Sequence, residues 1–114
     1  MSARLERRRR MIRTRGRLVQ LQRQARGSTS IEHQADLLGF PHAPGAADFT
    51  AGVQQGDLVV ETLDDELQAY GWPDQPRSRD KLLLDGLTYT VANAFPIFDA
   101  ALRIGWRIWV KGGA

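Results

Sequence analysis

At 114 residues the chain has room for one domain but not for two well-packed ones. Its 42% hydrophobic and 25% charged content is that of a globular rather than a disordered chain, and the lack of cysteine excludes a disulfide framework, a thiolate metal site and a cysteine nucleophile. Charge is split unevenly: residues 1–26 hold ten arginines against one glutamate, a net of +9, whereas residues 27–114 hold six Lys/Arg against twelve Asp/Glu, a net of −6.

A strongly basic arm on a mildly acidic body marks a tail for nucleic acid, a membrane surface or an acidic protein face. The arm, residues 1–16, has acceptable helix propensity and ends at Gly16, a natural helix stop. Four adjacent arginines repel one another and so short a helix is marginal in water, so a helix ordered mainly by its partner is expected. From Gly16 the period changes to two. Val19 and Leu21 alternate with Gln20 and Gln22 in a first strand, residues 17–24. A second strand is expected over residues 31–40, with Ile31, His33, Ala35 and Leu37 on one face. Residues 41–55, with Pro41, Pro44, Gly45 and Gly52, read as a long loop.

Gly56-Asp57 opens a third strand, residues 58–62. Leu63, Leu67 and Tyr70 follow at helical spacing, and Asp64, Asp65 and Glu66 suit the first turn of a short helix as a solvated face. Residues 80–84 read as a strand, Asp85-Gly86 as a tight hairpin turn and residues 87–95 as the return strand. Residues 96–99 read as a further turn. In the last strand Leu102, Ile104, Trp106, Ile108 and Val110 share one face, with Arg103, Arg107, Trp109 and Lys111 opposite or between them. The expected fold is all-β: a small antiparallel barrel or sandwich of about six strands over residues 17–114, with a basic N-terminal helix and one short helix.

Little in the chain asks for catalysis. His33 and His42 lie at no familiar metal-ligand spacing, and three consecutive acids on a helix diverge around its axis. Asp36, Asp80 and Asp85 are explained by turn and edge positions. No phosphate loop, nucleophile elbow or zinc-protease motif is present. The expectation is a non-enzyme with no metal and no cofactor. Candidate partner or nucleic-acid contacts are Arg4, Arg7, Arg8, Arg9, Arg10, Met11, Ile12, Arg13 and Arg15; Trp72, Arg103, Arg107 and Trp109 are candidate interface residues. No apolar run approaches the roughly 18 residues of a membrane helix, and the basic start lacks the apolar stretch of a secretory signal, so a cytosolic, membrane-free protein is expected.

The order of features carries a resemblance. A basic helix leads through Arg15-Gly16-Arg17 into Leu18-Val19-Gln20-Leu21, and Gly56-Asp57 opens a strand before a short helix with Leu67 and Tyr70-Gly71-Trp72-Pro73. Then come Asp80-Lys81-Leu82-Leu83-Leu84-Asp85-Gly86, Tyr89-Thr90-Val91, Pro96 and the alternating ending from Trp106 to Gly112. This resembles the head-closure (stopper, head–tail joining) proteins of long-tailed phages and gene transfer agents. The resemblance implies a β-barrel in a homo-oligomeric ring of about twelve copies. That ring would dock on the portal–adaptor complex, bridge to tail proteins and help retain packaged DNA. It implies a place in the virion neck, reached from the host cytoplasm, no catalytic residues, and loop 41–55 projecting toward the channel. Open edge strands buried between ring neighbours would fit such an assembly. The alternatives are a small β-barrel nucleic-acid-binding module and another neck protein such as a tail terminator.

Overall fold

Each period-two segment offers one apolar face, and six of them close around a common interior. The computed structural model describes residues 3–43 and 57–112. Helix α1 (Ala3–Arg15) leads into β1 (Arg17–Gln24), β2 (Ile31–His42), β3 (Leu58–Leu63), the short helix α2 (Asp64–Ala69), β4 (Lys81–Leu84), β5 (Leu87–Asp99) and β6 (Leu102–Gly112). The strands form a closed antiparallel barrel in the order β1-β2-β3-β6-β5-β4, and β4 returns to β1 through four pairs, from Val19↔Leu84 to Gln22↔Lys81.

Alternation decides what lies inside. Val19 and Leu21 of β1, Ala35 and Leu37 of β2, Val60 of β3, Leu82 and Leu84 of β4, and Trp106, Ile108 and Val110 of β6 form one buried cluster, which Leu67 and Trp72 join from the α2 region. The interior is tight at Gly39, where a Cβ would stand 2.7 Å from Val60 Cγ1. Asp85 and Gly86 both have positive φ, at 52° and 79°, as a two-residue type I′ turn between β4 and β5 requires.

Closure removes the open edges expected from the sequence. β5 departs from this beyond Val91, where it leaves β4 and keeps β6 as its one partner; β6 stays paired with β3 as far as Gly105, and only past that pair do β5 and β6 run on as a two-stranded ribbon. The last backbone bonds on its β4 side run from Arg79 N–H to Val91 O at 2.9 Å and from Val91 N–H to Asp80 O at 2.8 Å. Residues 96–99, expected as a turn, are therefore strand. Pro96 lies opposite Trp106 on the edge of β5 that β4 has left, where no further strand asks for a ladder bond. The chain turns instead at residues 100–101.

Five other positions differ from expectation. Leu102 is 52% exposed, because β6 starts beyond the last β3 pair, Leu63↔Gly105. Ile31 is 47% exposed at the final β1–β2 pair, and Tyr70 is exposed just past α2. Pro41 and His42, placed by the sequence in the loop, belong to β2 and pair with Val60 and Val59. Residues 44–55 of that loop lie outside the described residues.

Candidate interaction surfaces

Successive residues of a helix point about 100° apart, so the run from Arg7 to Arg10 cannot share one face. α1 lies against β2 and β3, and its seat sorts the arginines. Arg8 turns inward, with Nη2 2.8 Å from Glu61 Oε1 and its guanidinium over Gly105, where a Cβ would stand 2.7 Å from Nε. Glu61 also faces His42 Nε2 at 2.7 Å. Arg9 pairs with Glu6 at 3.0 Å and with Asp65, and Arg4 Nη1 donates to Phe98 O at 3.0 Å. Ile12 is fully buried, and Gly16 N–H closes the helix on Ile12 O at 2.7 Å. The helix expected to be ordered by a partner is thus ordered by its own barrel. Ile12 packs inward and is not an anchor for another molecule. Arg7, Arg10, Arg13 and Arg15 are exposed, and Met11 is half-buried.

Between α1 and α2 runs a groove of about 390 Å³, with Ile12, Leu38, Leu63 and Ala69 among its lining and Glu66 on its wall. Burial raises the Glu66 carboxyl above its ordinary value, and Asp65 adds to this. The Leu38 backbone N–H, Arg13 and Arg9 oppose the shift without cancelling it.

The acidic first turn of α2 is only in part the solvated face expected: Asp65 is exposed and Glu66 half-buried, but Asp64 turns inward. Asp64 is buried and accepts hydrogen bonds from Trp106 Nε1 at 2.8 Å, from Arg103 Nε at 3.0 Å and from Gln68. Arg103 also stacks over the Trp106 ring, 4.8 Å from its centre. A second buried cluster lies beside it at the same end of the barrel. Arg23 Nε and Nη2 each donate to Asp80 at 2.9 Å, Nη1 donates to Asp74 at 2.8 Å, and the guanidinium lies 5.0 Å from the centre of the Trp72 ring. Asp80, read from the sequence as an edge residue, is 4% exposed. Desolvation works against the Arg23 charge, but the bonds to Asp80 and Asp74 outweigh it and hold the guanidinium above its ordinary pKa.

Of the four candidate interface residues, Trp72 is withdrawn into the core at 6% exposure, with its ring 6.0 Å from that of His33. Arg103 is exposed but committed to Asp64. Arg107 is half-buried opposite Glu61 on the ladder. Trp109 lies half-buried on the outer wall, donates from Nε1 to Asp57 and carries the Lys111 ammonium 4.8 Å from its ring centre.

Apolar side chains left in solvent gather at the two rims. Leu18 and Leu87 are exposed where β1 starts and β4 turns into β5; Ile31, Tyr70, Phe98 and Leu102 are exposed at the opposite rim. Among the described residues no group of three or more His, Cys, Asp or Glu could hold a metal ion, and no helix is long and apolar enough to cross a membrane. The architecture is a closed six-strand antiparallel barrel with a basic helix on its wall. No protein-family model, curated protein or solved structure matches the chain.

Proposed function

We propose that this chain is a structural connector of a tailed-phage particle. It is a head–tail joining, or stopper, subunit that docks as a ring on the portal–adaptor complex, links head to tail and helps retain packaged DNA. The observation that carries the reading is the placing of exposed apolar side chains at both rims of a closed barrel. Strand addition is closed off over most of the barrel, so contacts with other proteins run through the rims and the outer face of α1. A subunit held between a ring above and a ring below needs two such ends. The order of sequence features, which resembles that of stopper proteins, supports the same reading.

Sedimentation velocity of the purified protein, alone and with the portal–adaptor complex encoded by the same genome, tests it. A weakly associating monomer alone and a stable complex on the template are expected. A stable ring formed without partners, or no association with the template, contradicts the proposal.

A further inference from the structure

At the rim opposite the start of β1, the β1–β2 turn and the segment preceding β4 enclose an open cleft of about 1040 Å³. We propose that this cleft binds the phosphodiester backbone of nucleic acid. The proposal does not rest on the connector reading, because it concerns what the isolated protein binds.

The cleft is built from donors. Arg26, Arg77 and Arg79 line it together with the hydroxyls of Ser28 and Thr29. Arg26 and Arg79 are exposed, and among the described residues neither side chain has an ion pair or hydrogen bond; Arg77 stands 3.5 Å from Asp74. Two carboxylates also line the cleft. Asp80 is neutralised by Arg23, which leaves Glu32 as the opposing charge. Guanidinium forks and hydroxyls suit phosphate oxygens. Ala25 is the sole apolar side chain in the lining, and no aromatic ring is present. A docked protein segment would want apolar anchors, and a base-reading site would want stacking platforms, so the chemistry favours a backbone ligand read without sequence preference.

Arg79 supplies an independent argument. Its φ is 78°, left-handed backbone that suits glycine and is rare for a long side chain. Its N–H is bonded to Val91 O, a bond that glycine keeps. Folding alone therefore favours glycine at this position, and the arginine side chain reaches into the cleft at a cost to the backbone.

The test is fluorescence anisotropy with a short fluorescein-labelled DNA duplex, across a salt series. It is run in an Arg7→Ser/Arg10→Ser/Arg13→Ser/Arg15→Ser background, so that the exposed arginines of α1 do not mask the cleft. Arg79→Gly is expected to weaken binding by about threefold and to lower the log–log salt slope by about 0.9, the share of one phosphate contact. Adding Arg26→Ser brings the loss to about tenfold. Two unrelated duplex sequences should bind alike. The melting temperature of Arg79→Gly should equal or exceed that of its background, and inorganic polyphosphate should displace the duplex where poly-glutamate does not. Unchanged affinity in both variants overturns the proposal, as does a lower melting temperature for Arg79→Gly, which makes Arg79 a structural residue. Displacement by poly-glutamate as effective as by polyphosphate overturns it in favour of an acidic protein partner.

Discussion

Arg23 carries a full charge into the floor of the barrel, and its side chain is only 7% exposed. Asp80 meets it with two parallel hydrogen bonds, and the Gln75 carbonyl accepts a further one at 3.0 Å. Removing one partner of such a pair strands the other charge in a low-dielectric site, which typically costs about 3–5 kcal/mol. Asp80→Ala should therefore shift the denaturant midpoint strongly downward, and Arg23→Met/Asp80→Leu should recover most of the loss. A midpoint for Asp80→Ala equal to the parent's would show that the pair does not hold the floor. Glu66 makes a prediction of opposite sign. Its carboxyl is raised from the ordinary 4.5, so the folded state holds the proton more tightly than the unfolded one. The stability this contributes is present below pH 4.5 and is lost as pH rises through the raised folded value. Glu66→Gln should melt above the parent at neutral pH, and the difference should vanish below that lower bound. A difference independent of pH would rule the carboxyl out as its source.

The elements differ in how plainly the chain announces them. β6 carries its burial in its alternation: Ile104, Trp106, Ile108 and Val110 all point inward. Ile108→Asp puts an unpaired charge in the core, a cost of several kcal/mol against a typical total of about 5–15 kcal/mol, and should abolish the cooperative melt. The seat of α1 has a sharper test. A Cβ on Gly105 would stand 2.4 Å from the Thr62 carbonyl oxygen, which is backbone and cannot swing aside. Gly105→Ala should destabilise by about 1–3 kcal/mol and loosen α1 from the wall, seen as faster amide exchange over residues 8–16. Exchange unchanged there would mean that the helix is held elsewhere. Six strands, two helices and the I′ turn were legible because each has a local cause: period two, a Gly stop, an Asp-Gly pair. The floor clusters were legible in part. Arg23 keeps the parity of Val19 and Leu21, and Asp80 that of Leu82 and Leu84, so an arginine and an acid stand on inward faces of adjacent strands. Reading Asp64 as one of three acids hid that it alone turns into the barrel. The burial of Ile12 is hidden for a different reason: a thin apolar stripe does not say whether it meets a partner or the chain's own wall, and only tertiary structure distinguishes the two.

At the scale of the whole molecule, one wall and two rims offer surface for contact. α1 spends Arg8 and Arg9 on Glu61, Glu6 and Asp65, so replacing all four arginines from 7 to 10 would disturb the barrel as well as any docking. Arg7→Ser/Arg10→Ser separates the two effects. Both side chains are exposed, so the melting temperature should hold; under the proposed connector role, association with the portal–adaptor complex should fall and its salt dependence flatten. Leu102→Ser at the rim should likewise leave folding within about 0.5 kcal/mol of the parent, as exposed sites usually do, and should weaken docking. The connector reading meets its most direct test in electron microscopy of particles made by the encoding genome with this gene disrupted. DNA-filled heads and finished tails lying unjoined are the expected result, with joining restored by the gene supplied in trans. Intact, infectious particles in its absence would contradict the connector reading.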